Sequence, residues 1–308
     1  SPLQTFNASF GATVALEVVD IDGDGELDVV AGASDPIAAV FFNAGSGSSW
    51  SQATVSTSIR ISALKVADLN NDGDVDLFAA LGTDDGVQAW LNNGDGSTWT
   101  SVNVASGLNL VTAVSSGDLD ADGFVDLVSG SFISAQILLH TNVDGSATVW
   151  NTSVIEPSAF GSVGLRVTDV DGDGDSDVVL FREVTTGLAW LENVAGDGSV
   201  WSSTVVRQDV TVSAMNLVDV DGHGGLDIVF GTKLDNGYIG SFLNKQPAAS
   251  QSALLNAAFL HGQTAERTEF VVDLAFADGT PAMYPMPASQ VSVLFTPAVT
   301  DLMTLIVA

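Results

Sequence analysis

The chain has 308 residues, with 38 Asp plus Glu against 8 Lys plus Arg and a formal net charge of −30. Yet 46% of the residues are hydrophobic and mean hydropathy is +0.32, which excludes a disordered acidic tail and leaves enough apolar material for a large core. Strong negative charge disfavours nucleic acid and anionic membrane as partners. No apolar run reaches the roughly 18 residues a membrane helix needs, and the absence of cysteine excludes disulfides and thiolate metal sites.

The chain does not start with Met and has no signal-like segment, so Ser1 reads as the start of a mature or trimmed chain. Its acid is uneven in kind, 31 Asp against 7 Glu, beside 31 Gly. Asp with Gly points to turns and to metal ligation by short side chains, not to helical surfaces.

In chain order, the first unit holds an apolar run at 14–19, an Asp-rich stretch at 20–28, and apolar runs at 29–32 and 40–43. A Gly/Ser turn then leads to Trp50. The second unit repeats this with Asp-rich 68–76, runs at 77–80 and 89–92, and Trp99. The third has 118–126, 127–130, 138–142 and Trp150; the fourth has 169–177, 178–181, 189–193 and Trp201. The fifth has an apolar run at 214–218, then 219–227, 228–231 and 241–244. The Asp-rich stretches start 48, 50, 51 and 50 residues apart, and hold 20 of the 31 Asp.

Each unit therefore predicts four short strands separated by turn residues, with no segment of helical period. Four strands in about 50 residues is the arithmetic of a β-propeller blade. A β-solenoid would use shorter rungs. The predicted fold is all-β: a propeller of five blades over 1–245, with six blades or part of seven as alternatives. Residues 246–308 lack the Asp stretch and read as a C-terminal β segment, either a degenerate blade or the start of an immunoglobulin-like module. The N-terminal residues 3–6 match an outer strand, and are expected to complete the fifth blade.

Within the Asp stretches, carboxylates or amides recur at positions 1, 3, 5 and 9, except at position 5 of the fifth. Gly stands at position 6, where a sharp turn with positive φ is easiest. Side chains at 1, 3 and 5 converge as such a loop curls, position 7 adds its carbonyl, and position 9 closes the shell. An all-oxygen shell with several carboxylates suits a hard cation the size of Ca²⁺. An EF-hand would need an acid at position 12 and a following helix. Here position 12 is Ala31, Ala79, Ser129, Leu180 and Phe230.

This D-x-D-G-D-G-x-x-D-[VL] pattern, repeated near 50 residues and followed by a W-L-N element, resembles the FG-GAP/VCBS family of calcium-binding β-propellers. Integrin α-subunit heads carry such repeats. The resemblance covers about 1–245 and implies Ca²⁺ ligands in each loop. In the first these are Asp20, Asp22, Asp24, the carbonyl of Glu26, and Asp28. In the second they are Asp68, Asn70, Asp72, Asp74 and Asp76, and in the third Asp118, Asp120, Asp122, Phe124 and Asp126. The fourth has Asp169, Asp171, Asp173, Asp175 and Asp177. The fifth offers Asp219, Asp221 and Asp227, but His223 replaces the acid at position 5, and imidazole suits a hard cation poorly. Four sites are expected, with the fifth weakened.

No catalytic constellation stands out among His140, His223 and His261 or the scattered Arg60, Arg166, Arg182 and Arg207. His140 is expected to be a packed strand residue in the position of Trp90 and Trp190. Some polysaccharide lyases use propellers with His, Tyr and Arg, but this chain has only Tyr238 and Tyr284. Trp50, Trp99, Trp150 and Trp201 are expected to pack between blades. Asn7 and Asn151 head N-glycosylation sequons. The expected protein is a non-enzymatic, secreted or cell-surface, calcium-binding module for structure, adhesion or recognition. Its partners would be an extracellular protein or glycan, or copies of itself. A lectin is the alternative, and a polysaccharide lyase the more distant one.

Overall fold

A computed structural model of the chain describes residues 10, 12–33, 38–45, 47–56, 60–82, 86–159, 161–182, 187–208, 210–222, 225–232, 239–245, 254–261 and 271–273. The described residues are all β or connecting turns, with no helix long and apolar enough to cross a membrane.

The first blade is β1 (Thr13–Val19), β2 (Asp28–Ala33), β3 (Ala38–Asn43) and β4 (Trp50–Ser56). The second is β5 (Ile61–Ala67), β6 (Asp76–Leu81), β7 (Gly86–Asn92) and β8 (Trp99–Ser106). The third is β9 (Val111–Gly117), β10 (Asp126–Ser131), β11 (Gln136–Asn142) and β12 (Trp150–Glu156). The fourth is β13 (Ser162–Thr168), β14 (Asp177–Arg182), β15 (Gly187–Asn193) and β16 (Trp201–Arg207). The fifth is β17 (Val212–Val218), β18 (Asp227–Thr232), β19 (Ile239–Lys245) and β20 (Leu254–His261), extended by a short β21 (Val271–Asp273). Each sheet is an antiparallel meander in sequence order. The predicted five-bladed β-propeller of four-stranded blades is the observed fold.

One compact unit, 1–169 with 174–210, holds the first four blades; the other, 170–173 with 211–308, holds the fifth sheet. In the first unit, the leading strands β1, β5, β9 and β13 adjoin one another in that order. The core lies between successive blades. Ile21, Val30 and Val40 of the first blade pack with Leu64, Leu77 and Trp90 of the second. Leu69, Phe78 and Ala89 of the second meet Val114 and Leu127 of the third. Leu119, Val128 and Leu139 of the third meet Leu165, Val178 and Leu191 of the fourth.

Strand composition follows from this burial. β6 and β10 are buried at every residue, so they read as unbroken runs of apolar and small side chains. The Trp-led strands β4, β8, β12 and β16 lie at the outer edge, and their exposed positions are Ser, Thr, Gln and Asn beside a few Val. Trp99, Trp150 and Trp201 pack against the interblade clusters, and Trp50 packs against the cluster of Phe10, Ala31, Ala39 and Phe41. The indole N–H of each of the four donates to a turn carbonyl three residues earlier, at 2.8–3.2 Å.

Two features depart from the sequence reading. His140 pairs with Leu127 and Trp90 with Leu77, but the residue in that register in the fourth blade is Leu191, opposite Val178. Trp190 pairs with Val179 and so faces the other side of its sheet. The second feature is the fourth strand of the fifth sheet, which is β20, drawn from residues 246–308. Residues 3–6, expected there, lie outside the described residues, as do residues 274–308 of the expected C-terminal β segment.

Candidate metal centres

Each Asp-rich stretch is the loop joining the first two strands of a blade. Its curl is set by hydrogen bonds from its own amides. In the first loop, Gly23 and Gly25 N–H both donate to Asp20, each at 2.9 Å. Asp24 N–H donates to Asp22 Oδ1 at 3.2 Å, and Glu26 N–H to Asp24 Oδ1 at 2.8 Å. The bond from the position-6 glycine to the position-1 carboxylate recurs from Gly73 to Asp68 (3.0 Å), Gly123 to Asp118 (3.1 Å) and Gly174 to Asp169 (3.1 Å). These glycines have φ of +89° to +100°, a backbone that a Cβ disfavours.

Four loops bring three carboxylates together with oxygens all within 4.8 Å of one another. The groups are Asp20, Asp22 and Asp28; Asp118, Asp120 and Asp122; Asp169, Asp171 and Asp177; and Asp219, Asp221 and Asp227. In the second loop position 3 is Asn70, whose Nδ2 donates to Asp72 Oδ2 at 2.8 Å. The side chains at position 7 turn elsewhere: Glu26, Asp74, Phe124 and Asp175 lie beside Gly45, Gly94, Gly145 and Gly196 of the turns between third and fourth strands. Only their carbonyls remain for an ion. His223 lies outside the described residues.

The position-9 aspartates are buried to 0–1% exposure. Four of them are held at both oxygens, as in the third blade: Asp126 Oδ2 accepts from Leu119 N–H at 3.0 Å and Oδ1 from Asn142 N–H at 2.8 Å. Asp28, Asp76 and Asp227 are held in the same way. Burial pushes the Asp76 carboxyl up to about 6 and that of Asp126 up to about 7, with neighbouring loop carboxylates adding to the shift and the two backbone bonds opposing it. Burial also raises Asp22 and Asp120, with a further push from adjacent aspartates. Crowded, partly desolvated carboxylates of this kind repel one another until a cation joins them.

The donor set fits a hard divalent cation. All side-chain donors are oxygens, mostly carboxylate. In addition, Asp68 Oδ1 and Asp118 Oδ1 are buried and accept no hydrogen bond. Buried acceptors are seldom left unmatched without a partner such as water or an ion. A bound Ca²⁺ would supply the charge that cancels the repulsion; Asp20, Asp22, Asp28 and their counterparts would hold it.

Sequence reasoning missed one set of residues: the Asn closing the third strand of every blade. The backbone N–H of Asn43, Asn92, Asn142, Asn193 and Asn244 donates to the position-9 Asp 15–17 residues earlier. The side-chain carbonyls of Asn43, Asn92, Asn142 and Asn193 accept from amides of the following turn. Their signal was present in the W-L-N and related runs, at a nearly constant offset from the loop.

Other sequence candidates fall away from the loops. His140 is fully buried, with Nε2 2.8 Å from Ser129 Oγ and Nδ1 2.9 Å from Thr152 Oγ1. Burial pulls it down to about 4. Asn151 is exposed on β12, and Asn7, Tyr238 and Tyr284 lie outside the described residues. His261 ends β20.

Blades with an Asp loop at the first hairpin and an Asn at the end of the third strand define an Asp-loop β-propeller. Residues 20–79 and 68–129 each match the FG-GAP-like repeat, and together with the five-bladed fold these matches support an FG-GAP repeat propeller. No curated protein matches it in sequence. Among solved structures, BBS1N in complex with ARL6DN is similar at 11% identity and a TM-score of 0.53, over 86% of this chain and 79% of that one. An auxiliary nutrient binding protein from Bacteroides thetaiotaomicron VPI-5482 is similar at 10% identity and a TM-score of 0.53, over 84% of this chain and 59% of that one. The SapL1 lectin in complex with alpha methyl fucoside aligns at 11% identity and a TM-score of 0.45, over 90% and 98%. At these identities the likeness to the first two is one of fold.

Proposed function

We propose that the chain is a calcium-stabilised recognition module that works outside the cell and catalyses no reaction. The observation that carries the reading is the set of four carboxylate triads, one in each of four loops, in register with the blades. The orphaned Asp68 Oδ1 in the second loop extends it to the loop without a triad. Oxygen-rich sites in extracellular modules bind Ca²⁺ at about 10⁻⁴–10⁻³ M. That range matches extracellular calcium and supports a secreted or cell-surface setting. The partner is a protein or glycan surface. BBS1N, of the same fold, was solved with a protein bound, and this reading takes the propeller as the same kind of platform. A non-catalytic role is supported by His140, whose two ring nitrogens are both engaged in a fully buried site.

Calorimetric titration of Ca²⁺ into chelator-stripped protein tests the reading. The expected result is saturable heat with at least four ions per chain, one for each triad. Asp169→Asn with Asp171→Asn should remove one of them. Heat no greater than dilution would overturn the calcium assignment.

A further inference from the structure

Within the first three loops, the residue at position 2 lies between the ligand positions 1 and 3 and is fixed from three directions. Leu69 illustrates it. Its N–H donates to Asp76 Oδ2 at 2.8 Å in its own blade. Its side chain is fully buried in the cluster shared with the third blade. Its carbonyl accepts from Asn142 Nδ2 of that next blade at 2.8 Å. The same bond runs from Asn92 to Ile21 O (2.9 Å) and from Asn193 to Leu119 O (2.9 Å). Asn244 donates to Val170 O likewise. Ile21, Leu119 and Val170 are as buried as Leu69, at 0–2% exposure.

We propose that Asn92, Asn142 and Asn193 are positioning residues for the cation loop of the preceding blade, so that each loop's ion affinity is set by the blade after it. The inference rests on the calcium reading above. An ion at the second loop needs Asp68 and Asn70 to converge, and they flank Leu69 directly. With the Leu69 carbonyl latched, the peptide planes on either side of the two ligands have one orientation. Without the latch the buried carbonyl seeks another partner and the loop rotates. The coupling also runs in reverse: an ion that orders the second loop presents the Leu69 carbonyl to Asn142. Asn142 in turn donates its backbone N–H to Asp126 of the third loop. Filling one loop therefore favours the next, and binding along the first four blades is cooperative.

Amide exchange read by mass spectrometry over peptides spanning 20–28, 68–76, 118–126 and 169–177, during a Ca²⁺ titration of the full chain, tests this loop by loop. In Asn142→Ala, the calcium concentration that half-protects 68–76 should rise about tenfold, as for loss of an outer partner of a metal ligand, with 20–28 much less affected. In Asn92→Ala the large shift should move to 20–28. A displacement that follows the variant one blade back is not expected from general destabilisation. Equal shifts in all four peptides, or no shift in 68–76, would overturn the coupling while leaving calcium binding intact. No calcium-dependent protection in the parent chain would overturn the calcium reading and the coupling with it.

Discussion

Asn142 Nδ2 donates to the carbonyl of Leu69 at 2.8 Å, across 73 residues of sequence. The bond joins the end of a third strand to the Asp loop of the blade before, and it recurs with near-constant span from Asn92 and Asn193. The same side chains also bond within their own blade, as Asn43 Nδ2 does to Leu27 O at 3.2 Å and Asn92 Nδ2 to Val75 O at 3.3 Å. The latch is thus a periodic contact between blades, made by a polar side chain inside a largely apolar seam.

Its energetic weight is testable by comparing two alanines. Asn142→Ala leaves a buried carbonyl and a buried turn amide without their partner, which costs about 1–3 kcal/mol for each unsatisfied group. Asn151→Ala, at an exposed position on β12, leaves no buried group unsatisfied and should cost much less. Urea denaturation of both variants measures the difference. Equal losses would mean that the bond between blades carries no weight.

The loop backbone gives a second expectation. Gly123 has φ +89° and nothing within 4 Å of where a Cβ would stand. Gly123→Ala therefore creates no clash, and its cost is conformational, about 1–2 kcal/mol. Thermal melts should show a lower midpoint, with a weaker calcium response from that loop. An unchanged melt would contradict the strained-turn account.

His140 gives the pH dependence. Its pKa falls from 6.5 to about 4 on burial, so the unfolded chain binds the proton more readily. Stability from this group is complete above pH 6.5 and drains away as pH falls toward 4. The shift is worth roughly 3 kcal/mol. Leu191 occupies the matching register in the fourth blade, so His140→Leu fits the site. Relative to the parent, that variant should lose less stability between pH 7 and pH 4, by urea denaturation at constant calcium. Parallel pH profiles would contradict it.

The sequence showed the Asp loops well because ligation and a positive φ demand particular residues at fixed spacing. It showed register poorly. Trp90-Leu91 and Trp190-Leu191 look alike, but Glu192 stands between Leu191 and Asn193, and the ladder aligns on the bond from that Asn to the position-9 Asp. Trp190 therefore moves to the opposite face, and only the strand pairing reveals it. The Asn latch was hidden for a related reason: its acceptor is a backbone carbonyl, which leaves no residue type to recognise. The outer strand of the fifth sheet was misplaced because β20, at 254–261, lacks the leading Trp that marks the other four.

The acidity also takes on a narrower meaning. Twenty of the 31 Asp lie in five loops, so most of the charge belongs to candidate ion sites.

The most direct test of the central claim is the thermal midpoint in about 10 mM CaCl₂ against the midpoint in EGTA, with MgCl₂ as control. A site with Kd of about 10⁻⁴ M adds roughly 2.7 kcal/mol at that excess, and several loops act together. The account predicts a large rise in midpoint with Ca²⁺ and little with Mg²⁺, which rarely fills cages built wholly of protein ligands. The same midpoint in Ca²⁺ and in EGTA would contradict it.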